Sequence, residues 1–276
     1  MSAKNEKTGD AFIKDLRASL SRLAEQARDP GVSSSHQKKI NIQLQAAATE
    51  VLSVLADLDS IKTPISIFDP GNPATISFFV ALAMTAQPRL PITELRSFYG
   101  AGVYAIYYRG KFAPYRPISG SETPIYVGQA APQSPTARTA REQGTSLARR
   151  LLEHKKNIEK ATTTLKISDF DYRALVVQPG WETGSENYLI RLFKPVWNKE
   201  IKLAYGIGKH GDSSDTRGNK RSPWDTLHPA RQWATTEHKK SVQSIEAELA
   251  KHFVENKAFK SFQDILGHFT DALKQQ

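Results

Sequence analysis

The sequence predicts an α+β protein in which a small β-sheet is flanked by helices and helical extensions stand at the N- and C-termini. Three observations carry this reading. Apolar residues at steps of three and four fill both ends of the 276-residue chain, and β-branched and aromatic runs punctuated by Gly and Pro occupy its middle. In that middle the strand-like and helix-like segments follow one another in the order β, β, α, β, α. With 39% hydrophobic residues the chain can bury a sizeable core, which excludes wholesale disorder.

At the N-terminus, Phe12, Leu16, Leu20 and Leu23 keep helical spacing, as do Ile40, Leu44, Ala48, Val51, Leu52, Leu55 and Leu58, and Asp29-Pro30-Gly31 breaks the pattern between them. Two antiparallel helices are expected, a helical arm without a catalytic role. Pro64 to Asn72 reads as a linker and Pro73 to Ala86 as a short apolar helix, stopped by Pro88 and Pro91. A new domain should begin near Leu95. Gly102 to Tyr108 and Ile125 to Val127 are two strands of one sheet, joined by a long loop containing Gly110, Pro114, Pro117 and Gly120. Ala137 to Lys160 forms a helix with seven basic and three acidic residues. Tyr172 to Val177 is a third strand, and Ser185 to Phe193 a helix ended by Pro195. Residues 199–240 form a basic surface loop anchored by Trp224 and Trp233, and Val242 to Phe253 and Phe259 to Leu273 are closing helices. The expected organisation is a helical extension over 1–94, a catalytic domain with its basic loop over 95–235, and C-terminal helices over 236–276.

Thirty-eight Lys and Arg against 28 Asp and Glu give a net charge of +10. Ten basic and ten acidic residues precede residue 96, so the whole excess lies beyond it. Such a balance points to an anionic partner, and the basic residues do not coincide with an amphipathic membrane helix, so nucleic acid is expected. The absence of cysteine removes disulfides, thiolate zinc sites, iron–sulfur clusters and cysteine nucleophiles together. Met1 to Asp10 lacks the apolar region of a signal peptide, and the apolar stretch Ile76 to Met84 is too short to span a bilayer. A soluble, cytoplasmic protein without a membrane partner is expected.

Chemistry concentrates in one ordered series. Gly102-Val103-Tyr104 is followed, after 21 intervening residues, by Tyr126-Val127-Gly128; then come Arg150 and His154, Glu186, and Asn198. Arg150 and His154 lie four apart and share a helix face, so a guanidinium and an imidazole can converge on one phosphate. Glu186 offers one hard ligand to a divalent cation that otherwise keeps waters and phosphate oxygens, as Mg²⁺ prefers. Tyrosine with its ordinary pKa of about 10 needs nearby positive charge to act as a base.

This series resembles the GIY-YIG nuclease superfamily, whose order of Tyr, Tyr, Arg, His, Glu and Asn it reproduces, with a GIY-YIG-like sheet as the implied fold. Valine stands for isoleucine in both tripeptides, a conservative change in a buried strand. The resemblance implies Tyr104 as base or water-positioning residue, Tyr126 and His154 as its hydrogen-bond partners, Arg150 as electrostatic stabiliser, Glu186 as metal ligand and Asn198 as phosphate or active-site organiser. The cofactor it implies is Mg²⁺ or Mn²⁺. Within the superfamily the chain is most similar to type II restriction endonucleases that cut GC-rich palindromes such as CCGCGG. That likeness implies double-stranded DNA as substrate, cleavage of both strands, and a homodimer or higher homo-oligomer.

Rival readings are weaker. Glu182 lies four residues before Glu186 but at a helix start, where the helix dipole favours a carboxylate anyway. A PD-(D/E)xK site would need an Asp before Glu153-x-Lys155, and none occurs between Asp69 and Asp169; Asp225 with Glu237-x-Lys239 is its weaker form. His210, Asn219 and His228 imitate an HNH arrangement without its strand and helix signals. A repair or homing nuclease is the alternative within the superfamily. A noncatalytic DNA-binding protein would use the same basic surface but has little use for Glu186. Arg149 and Lys155 on the basic helix, and Arg217, Lys220, Arg221 and Arg231 in the basic loop, are the candidate DNA contacts, the loop being the candidate for base recognition.

Overall fold

A computed structural model describes residues 2–28, 31, 33–58, 61, 67–208, 220–236 and 238–274. Asp29-Pro30, the first part of the expected linker, Arg217, the His210 and Asn219 of the HNH reading, and Glu237 lie outside the described residues. The chain divides into two units, residues 1–67 and 68–276.

The first unit holds two long helices, α1 (Ser2–Ala27) and α2 (Ser34–Leu58). The second opens with α3 (Pro73–Thr85), whose Asn72 side chain accepts from the Ala74 N–H and whose first residue is proline, both favourable at a helix start. α3 buries Phe78, Ala81 and Met84 and packs on α5 and β4. The unit boundary falls at residue 67, which places α3 with the sheet: an apolar helix needs the sheet to cover it.

Four antiparallel strands follow in the spatial order β1-β4-β2-β3: β1 (Leu90–Pro91), β2 (Gly102–Tyr108), β3 (Tyr126–Ala130) and β4 (Phe170–Val176). The two-residue β1 carries too few residues for a periodic signal. β2 is central and buried on both faces, which is why it reads as an unbroken apolar run. Its alternation still sorts the two faces. Tyr104, Ile106 and Tyr108 face a core with Leu147, Leu151 and Trp197, whereas Val103, Ala105 and Tyr107 face Phe78, Leu189 and Phe269. β3 is an edge strand.

α4 (Ser146–Lys160) begins nine residues later than its periodicity suggests. Gly144 takes φ +74°, a backbone conformation outside the helix, and the segment before it is tied to the sheet instead. There Gly100 N–H donates to the Gly144 carbonyl at 2.7 Å, and Gln143 pairs with Ala101 N–H and the Val177 carbonyl. α5 (Glu182–Phe193) starts one turn earlier than expected.

The basic 199–240 segment is more than a surface loop. Ala204, Ile207, Trp224 and Leu227 join the core, and Ser222-Pro-Trp-Asp225 opens a short helix, α6 (Pro223–Leu227), through a reciprocal capping box. His228 is fully buried, bonded to Tyr115 Oη at 2.7 Å and Thr164 Oγ1 at 2.8 Å, while Trp197 Nε1 donates to the same tyrosine. α7 (Val242–Glu255) and α8 (Phe262–Lys274) close the chain, α7 contributing Ile245 and Leu249 to one core and α8 Ile265 and Phe269 to the other. Among the described residues no helix is long and apolar enough to cross a membrane.

Candidate active site at the edge of the sheet

The two layers that cover the sheet meet at its open edge, β3. α4 brings Arg150 and His154 to that edge from one face; α5 brings Glu186 from the other; the two tyrosines stand between. Register places them: Tyr104 of β2 lies directly opposite Gly128 of β3. A Cβ on Gly128 would fall 2.5 Å from the Tyr104 Oη and Cζ, so this glycine is the space the tyrosine occupies. Gly102 takes φ +149°, and a Cβ there would stand 2.1 Å from the Leu175 carbonyl oxygen of β4. The glycines of the two tripeptides are thus required by close approach, one by a side chain and one by a neighbouring strand.

Tyr104 has no exposed surface and its hydroxyl lies 2.8 Å from His154 Nε2. The Tyr126 ring sits 4.7 Å from the His154 ring and 6.1 Å from that of Tyr104. Burial drives the Tyr104 hydroxyl well above its ordinary value; Tyr126 and Glu186 push the same way, and Arg150 opposes them. Tyr126 is also raised chiefly by burial and next by Glu186, but the Arg150 charge and the neighbouring Tyr104 hold it at about 12. Both are neutral phenols at pH 7. Arg150 is held by Glu153 at 2.8 Å.

Glu186 is half-buried. Burial first, then the charge of Glu200, raise its carboxyl to about 7, against the opposing pull of Arg150 and the Gln129 backbone N–H. That N–H is available because β3 has no outer neighbour to take it. Asn198 uses the same edge: its Oδ1 accepts from Val127 N–H and its Nδ2 donates to the Val127 carbonyl, both at 2.9 Å. A carboxamide is suited to this, since it offers an acceptor and a donor side by side as a strand would. Asn198 therefore stands in for a fifth strand and fixes the residue next to Tyr126.

A cavity of about 750 Å³ opens beside Tyr126 and Arg150, floored by Trp197, Ile207 and Pro223 and rimmed by Lys199, Lys220, Arg221 and Lys239. Two of the expected DNA contacts, Lys220 and Arg221, thus share a cavity wall with the site. Others do not. Arg231 is buried: its guanidinium binds Asp225, donates to the Gly206 and Ile207 carbonyls, and lies between the Trp224 and Trp233 rings. It braces the segment that places Gly208 against Arg150 and His154, and a side chain so enclosed does not reach DNA. Lys155 donates to the Thr93 carbonyl at 2.9 Å, and Arg149 opens onto a separate groove with Ser97 and Lys156. Glu182 is buried and accepts from Gly180 N–H at the start of α5, a turn contact that fits its reading as a helix-start carboxylate. Lys199 and Glu200 were not singled out by sequence, their position next to Asn198 being the only hint, and Lys239 was named only as the lysine of the weaker PD-(D/E)xK reading.

A family model, the Eco29kI GIY-YIG domain, matches residues 96–253, more than half of the chain. The chain belongs to the Eco29kI GIY-YIG family. No curated protein sequence matches it. The match begins just before β2 and runs into α7, so this GIY-YIG nuclease domain takes in strands β2 to β4, α4, α5 and the Trp-anchored segment, and leaves out α3 and the short β1. It is a family of GIY-YIG restriction endonucleases, which gives the chain DNA as its substrate.

Proposed function

We propose that the protein is a type II restriction endonuclease that hydrolyses both strands of duplex DNA at a short GC-rich palindrome, with CCGCGG as the first site to test, acting in the cytoplasm beside a protective methylation partner. The observation that carries the reading is the meeting of Tyr104, Tyr126, Arg150, His154 and Glu186 at one sheet edge beside a cation-rimmed cavity. A noncatalytic binder would gain nothing from a half-buried carboxylate among its phosphate-binding cations.

Glu186 fits a single hard divalent cation, Mg²⁺ or Mn²⁺: burial and Glu200 disfavour its charged form, which a bound cation would stabilise, and its oxygens are the donors such ions take. When bound, the cation would supply Lewis-acid stabilisation of charge on the phosphate. The remaining work falls to the chain. Water attacks phosphorus while the bond to the leaving sugar oxygen breaks; the attacking water gives its proton to the surrounding solvent, and the leaving oxygen takes one up from it. Tyr104 and Tyr126, both protonated at pH 7, orient that water as a hydroxyl pair, Tyr126 from the cavity wall and Tyr104 from behind it, where His154 fixes it. Arg150, aimed by Glu153, offsets charge developing on the non-bridging oxygens. Asn198 keeps the edge strand, and with it Tyr126, in place. Because each chain carries one such site, cutting both strands of a palindrome calls for two copies.

Plasmid DNA incubated with the purified protein and Mg²⁺, followed by sequencing of the ends, tests the reading. Discrete fragments with one shared terminal sequence are expected; intact plasmid, or random ends at every enzyme concentration, would refute it.

A further inference from the structure

None of the 25 residues of α2 is buried. Its Leu44, Ala48, Val51, Leu55 and Leu58 nevertheless follow steps of four and three in alternation, the spacing of a coiled-coil seam. α1 repeats that spacing at Ile13, Leu16, Leu20, Leu23 and Ala27. The chain covers these seams only in part: Leu23, Ala27 and Leu44 are half-buried where the two helices adjoin, but Val51, Leu55 and Leu58 are 42%, 57% and 77% exposed, and Ile13, Leu16 and Leu20 are exposed too. A stripe of this period fits the stripe of another helix and no small ligand.

The charges on α2 say which helix. Lys38 and Lys39 stand near its N-terminus and Glu50 and Asp57 in its second half, so each sign sits towards the end where the helix's own dipole disfavours it. An antiparallel copy of α2 reverses both relations, setting the basic end of one helix beside the acidic end of the other. The area also suffices. The four large apolar side chains of each seam, with the adjoining exposed Phe12 on α1 and Leu52 on α2, make ten, and at roughly 80 Å² apiece they reach the approximately 800 Å² per partner of a standard interface.

We propose that α1 and α2 pack against the same helices of a second copy of this chain, with the two α2 helices antiparallel about a two-fold axis near Ala48. The association does not depend on the nuclease reading and is measured without DNA or metal. Sedimentation of the full chain should give twice the 30.7 kDa protomer mass. The double variant Val51→Glu/Leu55→Glu, both sites being exposed, should keep its helical circular dichroism while the dimer dissociates roughly 100-fold more readily or worse. Because the protein lacks cysteine, the single variants Ala48→Cys and Leu55→Cys report direction. Oxidation should join two copies through residue 48 and not through residue 55, which antiparallel helices hold about 20 Å from its mate. A wild-type monomer at micromolar concentration, a double variant that still dimerises, or efficient joining through residue 55 would each overturn the proposal.

Discussion

Gly128 illustrates how one residue determines the site. It closes the second tyrosine tripeptide not for backbone freedom but because Tyr104 fills the volume of its absent side chain. Gly128→Ala should therefore cost about 1–3 kcal/mol of stability through overpacking and, by displacing the Tyr104 hydroxyl from His154, should lower cleavage by far more than binding. Urea unfolding and single-turnover cleavage measure the two effects; unchanged turnover would mean that the tyrosine's position is not critical. The sequence disclosed the six candidate residues through their order, since each keeps its chemical type in any fold that unites them. It did not disclose that Arg231 is enclosed by Asp225, Trp224 and Trp233, because a lone arginine in a basic segment looks the same whether it faces solvent or a buried carboxylate.

At the scale of the element, β3 is an edge strand completed by a side chain. Asn198→Asp keeps the acceptor for Val127 N–H, loses the donor to its carbonyl and sets a carboxylate against it. A loss of about 1–3 kcal/mol is expected, with slower cleavage because Tyr126 shifts; a variant as stable and active as wild type would remove Asn198 from its organising role. The Trp-anchored segment makes a separate prediction. Burial lowers the His228 imidazole to about 3, against an ordinary 6.5, so the folded state holds it neutral where the unfolded chain would protonate it. Its contribution is complete above pH 6.5 and is lost as pH falls towards 3, about 1.4 kcal/mol per unit. Between pH 7.5 and 5.0 the wild type should lose about 2 kcal/mol more than His228→Gln, as read by denaturant unfolding at both pH values; parallel losses would contradict the assignment. Long strands and helices were legible from periodicity. The two-residue β1 and five-residue α6 were not, since so few residues carry no period, and α4 was drawn too long because Gly144 overrides the pattern before it.

Across the whole molecule, the charge excess confined to residues beyond 95 anticipates which part meets DNA, and the cavity rimmed by Lys199, Lys220, Arg221 and Lys239 lies in that part. The fold class was readable because the central sheet is built from segments that fit no other structure. The attachment of α3 to that sheet was not, because an apolar helix between proline-rich stretches could pack on either side. The central claim is that this sheet edge hydrolyses DNA and does more than hold it. Glu186→Ala tests it most directly, with duplex binding and Mg²⁺-dependent single-turnover cleavage measured on the same preparation. Binding should persist or tighten as a charge facing phosphate is removed, while cleavage falls by roughly 100- to 1000-fold or more. Cleavage near the wild-type rate would contradict the account.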